Sequence, residues 1–303
     1  MDVIPVITGP TSVGKTELCI NLSVLLESEI ISADSRQLYR ELTIGVAKPD
    51  KDILERIPHH FINERSLEEP FSAGMFMSEA LDRIAEILDR GRIPLVTGGS
   101  TLYLRALRYG LANIPDIPPS VRAHIRRRLD QEGPEAMYEV LRQVDPRAAA
   151  TMDATKTQRL ARALEVYEAT GIPLSRFHET QAPPPYAFRT VVLQRNREEL
   201  YARIERRVDE MLVTGLVDEV RGLLEAGYDP GLNPLRTIGY QEPIAFLKGE
   251  ITEDEMVRLI KQNTRRYAKR QETWFRGDPE AIFVDAAQDA QALLAAVREA
   301  LGL

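Results

Sequence analysis

Apolar and polar residues follow two different periods along this chain, and their succession predicts the order of its elements. Val3, Ile4, Val6 and Ile7 form a short apolar run, then a glycine-bearing loop, then KTELCINLSVLLES, whose apolar positions recur at helical spacing. That is strand, loop, helix. Pro5 would be awkward inside a central strand, so it is expected near the strand's start, where a missing donor matters least. SEIISADSRQLY supplies a second short strand ending near Ala33, with Asp34 just past its edge. MSEALDRIAEILDRGR reads as an amphipathic helix closed by Gly91, and IPLVTGGSTLY as a third strand running into a glycine pair and another helix. Strands alternating with helices predict an α/β fold with a parallel sheet, in which ligands collect beyond the strands' carboxyl ends. Gly9 to Thr16, Asp34 and Gly98 to Ser100 all fall on that rim.

The pattern then changes. GLANIPDIPPSV is proline-rich, and from Val121 to about His178 everything reads as arginine-rich helix with no strand candidate. TQAPPPYAF is a second proline hinge, after which RTVVLQ reads as a strand expected to rejoin the same sheet. The expected organisation is a core of residues 1–111 and 190–303 with a helical insertion domain at 112–189. The tail is mainly helical, with AIFVDA as a last short strand.

Composition narrows the class. The 303 residues are 44% hydrophobic and 28% charged, ordinary for a soluble globular protein, and no apolar stretch approaches the roughly 18 residues of a membrane span. The N-terminus reaches a strand too soon for a signal peptide, so a cytoplasmic protein with no membrane partner is expected. The single cysteine, Cys19, excludes an internal disulfide and a cysteine-rich zinc site, and reads as a small buried thiol. His59 and His60, His124 and His178 form no spaced ligand set and read as loop or surface residues. A net charge of −7 argues against indiscriminate coating of nucleic acid but not against a local basic groove.

The sharpest chemistry lies in GPTSVGKT: Gly9, Pro10, Thr11, Ser12, Val13, Gly14, Lys15 and Thr16 match G-x-x-x-x-G-K-[ST] in a strand-loop-helix setting. Such a loop turns successive N–H groups toward an anion and adds the helix dipole, which makes the sheet P-loop NTPase-like. Lys15 offers a charge, and Thr16 a hydroxyl for Mg²⁺. ATP or GTP would be the ordinary occupant, yet the third strand, IPLVTGG, lacks the carboxylate that holds a nucleotide's metal. The acid on this rim is Asp34. It could cap a helix, hold metal through water or take a proton; a carboxylate facing a phosphate loop repels the ligand unless it is useful, which favours catalysis.

Together these segments resemble the bacterial tRNA dimethylallyltransferases, also called tRNA isopentenyltransferases. GPTSVGKT, SADSRQLY, IGVAKP, RIPLVTGGSTLY, QRLARALEVYEATG, RIERRVDEML, GLVDEV, IGYQE and YAKRQETWFR occur in family order over nearly the whole chain. The resemblance implies that the loop holds the diphosphate of dimethylallyl diphosphate while the five-carbon group passes to N6 of adenine 37, beside a tRNA anticodon. It implies that Asp34 is the general base. Thr11, Lys15, the loop amides, Arg207 and Mg²⁺ held through Thr16 would stabilise the leaving group. Asp34, Ser35, Arg36 and Gln37 match the segment that meets the extracted base, with Gln37 as an edge reader. Ser100 stands where the family usually has threonine, keeping the hydroxyl. Arg122 and the segment Gln158, Arg159, Leu160, Ala161 and Arg162 are the implied tRNA contacts of the insertion. In RRYAKRQETWFR the cations are expected to face RNA and the aromatics to pack partly in the core.

Three other readings share parts of this pattern: a P-loop kinase of a nucleotide or metabolite, an isopentenyltransferase acting on free adenylate, and an RNA-binding regulator with a vestigial loop. The long two-hinged insertion opposes the first two. Intact Lys15, Thr16 and Asp34 oppose the third. A monomer is expected.

Overall fold

The computed structural model describes residues 2–179 and 183–303. Thr180, Gln181 and Ala182 of the second proline hinge lie outside the described residues. The chain begins with β1 (Val3–Thr8), α1 (Lys15–Leu26), β2 (Glu29–Ser32), α2 (Lys51–Arg56), β3 (His59–His60), α3 (Ala73–Asp89), β4 (Pro94–Gly98) and α4 (Thr101–Tyr109). Next come α5 (Pro119–Glu132), α6 (Pro134–Val144), α7 (Pro146–Ala149), α8 (Thr157–Thr170) and α9 (Leu174–Glu179). It returns through β5 (Ala187–Gln194), α10 (Arg197–Thr214), α11 (Leu216–Glu225), α12 (Gln241–Leu247), α13 (Glu253–Arg276), β6 (Ile282–Asp285) and α14 (Ala290–Leu301).

Among the described residues the strands form one parallel sheet ordered β3-β2-β4-β1-β5-β6. β5 lies beside β1 over its whole length, from Val3 opposite Ala187 to Thr8 opposite Val192. Pro5 falls opposite Arg189, before the first register pair with β4 at Val6 and Val96, where β1 has a single neighbour and a missing donor is tolerated.

Each strand buries alternate residues in opposite faces, as the two-residue period requires. Ile4, Val6, Ile31, Val96 and Val192 join one core, with α3, α4, α11 and most of α13. Ile7, Ile30, Leu95, Val191 and Leu193 join the other, with α1 and α14. Both faces are covered, which explains the near-continuous apolar strands.

One expectation is corrected at the sheet edge. His59 and His60 are not loop or surface residues but the edge strand β3, half-buried opposite Ile30 and Ile31. His60 Nε2 lies 2.8 Å from Glu29 Oε2, a carboxylate that Arg90 also holds at 2.8 Å. A strand of two residues shows no alternation in the sequence, so only its pairing reveals it.

The chain divides into two compact units, one comprising residues up to Arg108 and from Pro185 onward, the other Tyr109–Pro184. The return falls earlier than residue 190 because β5 already pairs with β1 at Ala187. The second unit has its own core, in which Ile125, Met137, Leu141, Leu160 and Leu164 pack together. Its buried Asp145 accepts from Ala148 N (3.0 Å) and Ser175 N (2.9 Å), capping α7 and fixing the start of α9.

Candidate active site

β1 and β4 are neighbours, but their following helices part: α1 packs on one face through Leu18, Cys19 and Leu22, and α4 on the other through Tyr103, Leu104 and Leu107. A crevice therefore opens beyond their carboxyl ends, the topological switch point of the sheet. It holds a cavity of about 700 Å³, lined by the phosphate-loop residues Thr11, Ser12, Gly14, Lys15 and Thr16, and by Asp34, Ser35, Arg36, Gln37, Ser100 and Arg207. Gly9, Pro10 and Val13 are buried and shape the loop rather than line the cavity.

Gly14 precedes α1 at φ +115°, a region that strains any residue with a Cβ, and it turns the loop into the helix. The N–H groups at the head of α1 have no intrahelical partner and face an anion site by geometry. Four of the loop's carbonyls accept hydrogen bonds from cations. Lys15 Nζ donates to Gly9 O (2.9 Å) and Pro10 O (2.8 Å), Arg203 Nε to Ser12 O (2.9 Å) and Arg195 Nε to Val13 O (3.1 Å).

Burial, reinforced by Arg207, lowers the Lys15 ammonium from its usual range to about 8, against the opposing pull of Asp34 and Cys19. Burial also holds Arg207 below the usual arginine value despite the carboxylates of Asp34 and Glu210, with Arg203 adding to the effect. Both cations are thus buried at a cost to their charged forms, which a bound anion offsets. Cys19 is the buried thiol expected: its Sγ donates to Thr97 Oγ1 at 3.3 Å, and burial pushes it up to about 11.

Asp34 does two things at once. Its Oδ1 accepts from Arg36 N (2.9 Å) and Gln37 N (3.3 Å), so it caps the following turn. Among the described residues Oδ2 accepts no hydrogen bond and is left to the cavity. Ser100 Oγ accepts from Ser35 N at 2.9 Å, linking the end of β4 to the segment after β2. The edge-reading role expected for Gln37 is narrowed. Its Nε2 donates to Val46 O (3.2 Å) and Ala47 O (3.1 Å), and its Oε1 accepts from Ser32 Oγ (3.2 Å). A base edge could meet only the remaining lone pair of Oε1.

Several wall residues were not foreseen. Arg203, Ile204, Val208 and Met211 share one face of α10 with the expected Arg207, and Ile260, Thr264, Tyr267 and Gln271 form one face of α13. Gly45, Val46 and the turn Thr237–Gly239 add to the wall. Glu219 braces that side: it accepts from Thr43 N (3.2 Å), Ile44 N (2.8 Å), Gly45 N (3.4 Å) and Tyr240 OH (2.6 Å). The i, i+4 spacing of Arg203 and Arg207 was the available signal.

In the second unit Arg122, Gln158 and Arg159 are exposed and Arg162 is half-exposed, 3.8 Å from Glu165. Leu160 is 0% exposed and belongs to the core, and Ala161 packs against it. Leu160 therefore presents no side chain to RNA: the helical period that places Arg159 and Arg162 outward turns it inward.

Among the described residues no group of three or more His, Cys, Asp or Glu side chains could enclose a metal ion. The donors present are the exposed Thr16 hydroxyl at the head of α1 and Asp34 Oδ2, hard oxygens beside the phosphate loop. They fit Mg²⁺, which keeps water and takes one or two protein ligands together with substrate phosphates.

A crevice combining a phosphate-loop motif, a carboxylate and apolar side chains has the features of a group-transfer site. Comparison with known proteins makes this specific. The family model described as IPP transferase matches residues 37–278. A tRNA dimethylallyltransferase of Salinibacter ruber is 59% identical over 276 residues, 91% of this chain and 85% of that one. One from Pelobacter propionicus is 47% identical, covering 92% and 91%. Among solved structures, the tRNA isopentenylpyrophosphate transferase of Bacillus halodurans matches with TM-score 0.74 and 34% identity, covering 100% of this chain and 97% of that one. A eukaryotic dimethylallyltransferase acting on tRNA matches with TM-score 0.80 and 28% identity, covering 96% and 75%. The chain belongs to the IPP transferase family.

Proposed function

We propose that this enzyme, a prenyltransferase that moves the dimethylallyl group onto tRNA, takes it from dimethylallyl diphosphate and attaches it to N6 of adenine 37. The products are N6-dimethylallyladenosine and diphosphate. The observation that carries this reading is that Asp34 and the phosphate loop line one cavity whose remaining wall includes Val208, Met211, Ile238 and Ile260. A diphosphate, a short hydrocarbon and a proton acceptor are accommodated together.

The exocyclic amine of adenine is a weak nucleophile because its lone pair is delocalised into the ring. As that pair forms the N–C bond, the C–O bond of the donor breaks with its electrons on the diphosphate oxygen, and the amine proton passes to Asp34 Oδ2. Lys15, Arg207 and the loop amides meet the departing charge with donors already in place. Mg²⁺, held by Thr16 and the diphosphate, would neutralise part of that charge. Thr11 supports the leaving group from the loop. An adenine stacked in an anticodon loop has to be drawn out first, which Asp34, Ser35, Arg36 and Ser100 are placed to meet. Among the described residues no helix is long and apolar enough to cross a membrane. The same reading has the enzyme act on tRNA in the cytoplasm, as a monomer.

Incubation with radiolabelled dimethylallyl diphosphate and unmodified tRNA should label the RNA at adenine 37. Turnover of ATP instead, or label on AMP in preference to an anticodon stem-loop, would reject the reading. Paired replacement of Arg159 and Arg162 by alanine should weaken tRNA binding and flatten its salt dependence by about 0.7–0.9 in log–log slope for each phosphate no longer neutralised. Nitrocellulose filter binding between low and moderate salt measures this, and an unchanged slope would remove the phosphate role.

A further inference from the structure

The phosphate loop after β1 and the Asp34 segment after β2 reach the cavity from separate places, yet transfer requires the donor carbon and the acceptor nitrogen in line. One buried side chain spans that gap. Gln271 of α13 is 2% exposed; its Oε1 accepts from Thr11 N in the phosphate loop at 2.9 Å, and its Nε2 donates to Gly99 O at 2.8 Å. Gly99 adjoins Ser100, whose N donates to Ala33 O (3.1 Å) and whose Oγ accepts from Ser35 N (2.9 Å), one residue beyond Asp34. Tyr267, one turn earlier on α13, reaches Gly99 O at 3.4 Å. A Cβ at Gly99 would stand 2.5 Å from Gln271 Nε2, so the glycine is what admits the bridge.

We propose that Gln271 is a positioning residue: by tying the donor-holding loop to the β4 end that carries the acceptor segment, it sets how the allylic carbon meets the adenine nitrogen. It does not touch the reacting atoms. The inference rests on the donor and acceptor assignment made above. A side-chain amide suits this task, because it accepts at one end and donates at the other. A carboxylate could still accept from Thr11 N but would set oxygen against Gly99 O, and a thioether would do neither. When the two halves lose their registration, misplacement of about 1 Å can cost roughly 10²-fold in rate. Water can then take the acceptor's place. Its oxygen forms the bond to the allylic carbon, the C–O bond to diphosphate breaks, and the products are dimethylallyl alcohol, diphosphate and a proton.

The experiment compares wild type, Gln271→Met and Gln271→Glu in one assay with labelled dimethylallyl diphosphate and unmodified tRNA, reading kcat, both KM values and the ratio of alcohol to prenylated RNA. Wild-type transfer tests the assignment; the variants test the bridge. The expected result is a fall in kcat of about 10²-fold in both variants, with KM values nearly unchanged and the alcohol fraction raised. Gly99→Ala, which crowds the same amide, should shift the ratio in the same direction and serves if a Gln271 variant fails to fold. Wild-type kcat and ratio in the variants would overturn the proposal. So would a loss of total turnover with an unaltered ratio, the mark of a merely structural part.

Discussion

Asp34→Asn is expected to abolish dimethylallyl transfer, by about 10²–10⁴-fold in kcat, while tRNA affinity stays close to wild type. The choice of asparagine follows from the double duty of this side chain. Oδ1 caps the turn through Arg36 N and Gln37 N, and an amide oxygen keeps both bonds. What asparagine removes is the basic second oxygen. Asp34→Ala removes the cap as well, at a cost of about 0.5–2 kcal/mol, and should be equally inactive but measurably less stable. Single-turnover transfer, filter binding and urea denaturation on the two variants separate the roles. Near-normal turnover in Asp34→Asn would end the base assignment.

Lys15→Ala should weaken donor binding by about 1.5–3 kcal/mol, roughly ten- to a hundredfold, because two of the lysine's protons hold the loop's own carbonyls and the third is free for a phosphate oxygen. The same residue predicts a pH dependence. In the free protein burial and Arg207 lower its ammonium to about 8. The anion needs the protonated form, so affinity is flat below that value and falls as pH rises through it, by up to about tenfold per unit. The ligand's own last ionisation, near about 6, is complete before that window opens. Calorimetric titration of an unreactive diphosphate analogue from pH 7 to pH 9.5 measures the fall. Wild type should show it and Lys15→Ala should not; equal slopes would mean that another group titrates.

The donor side of the cavity was legible because its signal is contiguous: strand, Gly9 to Thr16 and helix follow one another, and a phosphate loop works through its own backbone. Asp34 was legible for a similar reason, standing at the end of an apolar run. Arg203 was not, since an arginine on a charged helix looks the same whether it grips Ser12 O or points to water. Gln271 was hidden further. In RRYAKRQETWFR it sits among cations, and its burial depends on a glycine 172 residues away. Gln37 shows the converse case: its place beside Asp34 suggested a reader of bases, but its amide protons are held by Val46 and Ala47.

The order of strands and helices, the anion-binding turn and the acid beside it are properties of neighbouring residues, governed by backbone preference and by periods of two and of 3.6, and the bare chain therefore specifies them. Which face of α10 and α13 closes the cavity, and that His59 and His60 form a sheet edge, are settled by packing between residues remote along the chain. Burial of those side chains is a property of the assembled layers, and no local pattern encodes it.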